Sequence, residues 1–85
     1  MPEISRFYGL VILMYYNDHE PPHFHVRYQD YEITINIDTG EVKGKMSRTA
    51  LKLVYKWMDL HKKELLDNWE LCKQRKPLIW INPLD

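Results

Sequence analysis

Three of the chain's four histidines fall within residues 17–25, N-D-H-E-P-P-H-F-H, with two consecutive prolines between His19 and His23. On an extended strand, side chains two residues apart leave the backbone on the same face about 6.6 Å apart. His23 and His25 can therefore converge on one ion or one phosphate. Neutral imidazole ligates Zn, Ni, Cu or Fe. Because the prolines restrict the path of the loop, His19 can supply a third nitrogen, and Asp18, Glu20 or Glu32 can complete the set. As a metal site, the ligands would be His19, His23 and His25, and the cofactor zinc or another transition metal.

The same residues support a chemistry that needs no cofactor. Histidine titrates near neutral pH, so two imidazoles can act as general base and general acid, and a nearby guanidinium can hold a phosphate or stabilise developing negative charge. Those are the parts of a metal-independent ribonuclease-like site, with His23 and His25 as the proton-transfer pair, Arg27 as the phosphate contact and His19 as an auxiliary group. A third alternative involves no chemistry. His23, His25 and Arg27 then form the wet face of a hairpin, paired across it with Glu32 and Asn36.

The elements that must position these side chains follow from periodicity. Residues 7–16, F-Y-G-L-V-I-L-M-Y-Y, are a nearly unbroken apolar run that predicts a central strand, with Gly9 marking a bend. H-F-H-V-R-Y and Y-E-I-T-I-N-I alternate in polarity on either side of Gln29-Asp30, which predicts a hairpin. In it Phe24, Val26, Ile33, Ile35 and Ile37 face away from the histidines. Asp38 to Glu41 predicts a second turn, with Gly40 free to take a positive φ, and K-G-K at 43–45 a further break.

Ser47 is a fitting helix N-cap. Beyond it Ala50, Leu53, Val54, Trp57 and Leu60 or His61 recur at helical spacing, and Leu65, Leu66, Trp69 and Cys72 resume the stripe after a register shift. The shift predicts either one helix bent near residues 59–63 or two helices meeting there. Pro77 ends the helical pattern, and L-I-W-I-N-P at 78–83 predicts a short last strand. The expected fold is α+β: a small antiparallel sheet in the order β-β-β-α-α-β, with one long bent helix or two helices packed on one face.

Composition narrows the function classes. Eighty-five residues predict a single domain spanning 1–85, and 45% hydrophobic content allows a core without a structural metal. Twelve basic residues balance twelve acidic ones, which argues against a main partner found through bulk positive charge and leaves room for local patches. A single cysteine, Cys72, permits no internal disulfide and fits a reducing cytoplasm. Leu10 to Met14 is too short to span a bilayer, and the N-terminus lacks the pattern of a signal peptide, so a soluble cytoplasmic protein with no membrane partner is expected. Lys45, Arg48, Lys52 and Lys56 share one helix face, which suits either a phosphate backbone or plain solvent. Trp57 and Trp69 are expected in the core, whereas Trp80 on an edge strand would suit an interface, including a homodimer through that strand.

Three segments together resemble a known family: M-P-E-I-S-R-F-Y-G-L, M-Y-Y-N-D-H-E-P-P-H-F-H-V-R-Y, and the helical A-L-K-L-V-Y-K-W-M-D-L-H-K-K-E-L-L-D-N-W-E-L. The chain looks like the small bacterial domain-of-unknown-function proteins marked by I-S-x-F-Y-G and D-H-x-P-P-H-F-H. On matching positions the signature residues are His19, Pro21, Pro22, His23, Phe24 and His25. The resemblance implies one half of a two-gene module of toxin–antitoxin type, with a cognate small protein as partner and RNA as a candidate target. It carries over no catalytic assignment.

Overall fold

The computed structural model describes residues 3–85. Among them, five strands form one antiparallel sheet in sequential order: β1 (Glu3–Phe7), β2 (Leu10–Leu13), β3 (His23–Tyr28), β4 (Tyr31–Asn36) and β5 (Val42–Lys43). A single long helix, α1 (Arg48–Lys73), follows. The α+β class, the antiparallel sheet and the helix bent between residues 59 and 63 agree with the sequence. No helix among the described residues is long and apolar enough to cross a membrane.

Strand count and order differ from expectation at three places, the smallest being β5, a two-residue strand where the sequence predicts only turns. The apolar run 7–16 is not one strand: it holds the end of β1, a turn at Tyr8 and Gly9 with φ of 50° and 81°, and then β2, so that Phe7 pairs with Leu10. Positive φ at both central residues gives the turn whose twist suits two-residue hairpins. A bulky Tyr in the first position hides that turn from a sequence reading. The second difference is at the C-terminus, where residues 77–85 form no strand. Their backbone is claimed by helix side chains instead: Asn68 Nδ2 donates to the Ile79 carbonyl at 2.8 Å, its Oδ1 accepts from the Ile79 N–H at 2.9 Å, and Trp57 Nε1 donates to the Asn82 carbonyl at 2.8 Å. One sheet-like bond remains, from Ile81 N–H to the Ile4 carbonyl. Without a last strand, the edge expected to pair two copies is absent from that segment.

Alternation sorts the sheet's side chains as expected. Leu10, Ile12, Phe24, Val26, Ile33 and Ile35 are buried with Val54, Trp57, Leu65 and Trp69 of α1 in one core. Each large apolar side chain so buried contributes roughly 1.5–3 kcal/mol. Trp57 sits at the centre, its ring 5.4 Å from Phe7 and 6.0 Å from Phe24. The stripe would next reach position 61. His61 occupies it and leaves helical geometry there (φ −127°, ψ 23°), its Nδ1 2.6 Å from Glu64 Oε1. Below the kink, Leu65, Asn68, Trp69 and Cys72 restore the buried face.

Both helix ends are satisfied. Ser47 Oγ accepts from the Ala50 N–H. At the other end Arg75 takes a left-handed φ of 55°, and the N–H groups of Arg75 and Lys76 return to the carbonyls of Cys72 and Leu71. That pair of bonds is a Schellman cap, with Arg where Gly is commonest. The capped end lies beside the 15–20 loop, where Tyr16 Oη donates to the Lys76 carbonyl and Arg75 to Asn17 Oδ1.

Candidate metal centre

β3 places His23, His25 and Arg27 on the face opposite the core, as the alternation requires, next to Glu32, Thr34 and Asn36 of β4. The loop from β2 returns Asp18 to this face. Its Oδ2 lies 2.8 Å from His25 Nε2 and 3.1 Å from His23 Nε2. The three ligand-type atoms fall within 4.8 Å of one another. All three side chains are between 14% and 24% exposed, so the cluster is sheltered and still reachable.

The far nitrogens of both rings decide what the near ones present. His23 Nδ1 is 2.8 Å from the Pro21 carbonyl, which can only accept, so the ring proton sits on Nδ1. The neutral ring then turns a lone pair from Nε2 toward a carboxylate. His25 Nδ1 is buried with no full hydrogen bond, and its nearest partner is Glu32 Oε2 at 3.5 Å, again an acceptor. Imidazoles with Nδ1–H held by a carbonyl or carboxylate and Nε2 free are oriented as metal ligands are. His25 Nε2, 2.8 Å from the Asp18 carboxylate, donates a proton to it in the metal-free protein, and a metal ion binding here would take that proton's place between the two rings and Asp18.

Aromatic rings wall the cluster. Tyr15 stands edge-on to His25 at 4.4 Å, and Trp69 from α1 lies 5.2 Å from His23. Trp69 Nε1 donates to Glu20 Oε1 at 3.0 Å, and Lys73 reaches Glu20 Oε2, so Glu20 faces the helix. Nearby Cys72 is buried, and desolvation, helped by the Asp18 carboxylate, pushes its thiol up to about 11.

Two other sequence-predicted residues stand apart from this convergence. His19 is exposed and outside the three-residue set, and it lines a cavity of about 270 Å³ that Asp18 and His23 border. Arg27 is held by Glu32 Oε1, at 3.2 Å from both Nε and Nη2, with Tyr15 Oη at 3.5 Å. Glu32 thus spans Arg27 and His25. The sequence offered Asp18 only as one of three acids able to complete a histidine set. Trp69 read as core from its place on the stripe, and nothing in the sequence signals a bond to Glu20, 49 residues earlier.

A family model described as a domain of unknown function, DUF4160, matches residues 9–70. No curated protein and no solved structure matches the chain.

Proposed function

The chain belongs to the DUF4160 family, a description that assigns no chemistry, and we propose that it is a divalent-metal-binding member of a toxin–antitoxin-type pair, its metal held by Asp18, His23 and His25. One observation carries the metal: both imidazoles turn Nε2 to the same carboxylate oxygen while their Nδ1 atoms face acceptors. Two nitrogens and one oxygen suit Zn²⁺ or another first-row divalent ion and leave coordination positions for water or a ligand. Bound metal would supply Lewis acidity toward an oxygen ligand. The chain's own part is orientation: the Pro21 carbonyl fixes the His23 ring, Glu32 stands 3.5 Å behind His25, and Tyr15 and Trp69 shield both. The D-H-E-P-P-H-F-H resemblance supports the two-gene setting, with a cognate small protein as partner and RNA as target. Zinc titration of tag-free protein followed calorimetrically tests the metal, with Asp18→Asn as the comparison; one equivalent bound by the parent and a marked loss in the variant are expected.

A second function uses the same pair without metal. His23 and His25, sharing one carboxylate and standing 5.3 Å apart between ring centroids, would act as acid and base on RNA, with Arg27 as phosphate contact and His19 as auxiliary group. A chelator separates the two. RNA cleavage that persists in EDTA and disappears in a His23→Ala/His25→Ala double variant belongs to the acid–base pair; loss in EDTA, restored by Zn²⁺, belongs to the metal.

A further inference from the structure

The cavity beside the cluster has a chemistry of its own. Its floor is shared with the site through Asp18 and His23, and its far wall is Thr34 and Asn36 of β4 with Lys43 of β5. Thr34 and Lys43 are directly paired across the two strands, which puts their side chains on the face that carries the histidines. Asn36 is locked: its Oδ1 accepts from the N–H groups of Asp38 and Thr39 at 2.8 and 2.9 Å. Its Nδ2 donors are therefore turned away from that turn, with no protein acceptor among the described residues. Neither the Lys43 ammonium nor the Thr34 hydroxyl has a hydrogen bond or ion pair among the described residues either. Three uncommitted donor groups thus border a space that opens onto the cluster.

We propose that this cavity is a phosphoryl site, in which one oxygen of a phosphate group joins the metal on Asp18, His23 and His25 while Lys43, Asn36 and Thr34 donate to the others. This rests on the metal reading above and names the ligand that the open coordination positions take. At about 270 Å³ the space admits one phosphoryl group with its immediate substituent. A tetrahedral oxyanion uses donors on several sides at once, as a wall and a metal floor provide.

Glu41 also borders the cavity. With Asp18, Glu20 and Glu41 against Lys43, and Lys73 paired with Glu20 at the rim, the metal-free cavity carries net negative charge and repels an anion. A divalent ion reverses the sign. Phosphate binding is therefore expected only after metal loading, whether the source is free phosphate or a strand of RNA.

The experiment uses the full chain loaded with one equivalent of Zn²⁺. Binding of inorganic phosphate is followed by ³¹P NMR line broadening and calorimetry, with acetate as the carboxylate control and a short single-stranded RNA as a second arm. Phosphate or RNA should bind the loaded protein and leave the metal-free protein untouched. Lys43→Ala should weaken phosphate at least about tenfold, the size of a lost charge-assisted hydrogen bond, and leave Zn²⁺ affinity within about threefold. RNA binding much more tightly than free phosphate identifies a nucleic-acid strand as the source, and the reverse identifies a small phosphate. Zinc binding with no phosphate or RNA response, equal binding of acetate, or an indifferent Lys43→Ala variant overturns the phosphoryl site while leaving the metal reading intact. Absence of zinc binding overturns both.

Discussion

His25 and Asp18, seven residues apart with two prolines between them, meet at 2.8 Å between Nε2 and Oδ2. The contact closes the 18–25 loop onto β3 and converts an alternating strand into a three-sided donor set, because His23 reaches the same oxygen. Glu32, across the strand pair, stands behind His25 and links it to Arg27.

Glu32 acts on the metal through His25 without touching it. Glu32→Gln is expected to lower Zn²⁺ affinity about 10–100-fold, the usual effect of removing a carboxylate behind a ligating histidine, with little change in the circular dichroism spectrum. Competition with a colorimetric chelator measures it. Unchanged affinity would mean that His25 is oriented by Asp18 and Tyr15 alone.

Cys72 should behave as a buried apolar residue. Burial raises its thiol from 9.0 to about 11, with the Asp18 carboxylate adding to the effect. Native protein at pH 8 should resist alkylation by iodoacetamide, whereas urea-unfolded protein should react readily. The sign for stability follows from linkage: between pH 9 and 11 the unfolded thiol ionises and the folded one does not. This group's contribution is therefore complete below pH 9 and is lost as pH rises through about 11. Rapid labelling of native protein at pH 8 would contradict the burial.

Asn68 ties the C-terminal segment to the helix by two bonds to Ile79. Asn68→Ala should cost about 1–3 kcal/mol, since it removes both partners from Ile79 and empties a buried position. Urea denaturation gives the value. A neutral result would show that the two Asn68 bonds contribute nothing to stability.

Gly44 has no room for a side chain. An added Cβ would meet Ile33 Cγ2 at 2.9 Å and the Glu32 carbonyl at 3.1 Å, at a φ of 110° that L side chains rarely adopt. Gly44→Ala is expected to destabilise the fold by about 1–3 kcal/mol and to loosen β5, which carries Lys43. Thermal unfolding checks the first effect and phosphate affinity of zinc-loaded protein the second.

The sequence made the histidine face legible because its signal is local. The period of two in H-F-H-V-R-Y set His23 and His25 side by side, and Ile33, Ile35 and Ile37 declared the buried side of β4. The helix, its Ser47 cap and its break near His61 were equally visible, each resting on neighbours within a turn or two. What escaped depends on contacts distant in sequence. Asp18 could be preferred over Glu20 only once Trp69 and Lys73 were known to draw Glu20 toward the helix. The last strand failed for a similar reason: Ile79 and Trp80 have strand propensity, but Asn68 and Trp57 take the backbone groups a strand would use. The hairpin at Tyr8-Gly9 was masked because Phe7, Tyr8 and Gly9 run straight into the apolar β2, leaving no polar residue at the turn itself.

Zinc titration of the tag-free chain, with elemental analysis of the dialysed product, bears most directly on the centre formed by Asp18, His23 and His25. One tightly held ion per chain is predicted, raising the melting temperature and weakened at least about tenfold by Asp18→Asn. A metal content near zero, with no thermal shift from Zn²⁺, Ni²⁺ or Mn²⁺, would contradict it and leave the three side chains sharing a proton.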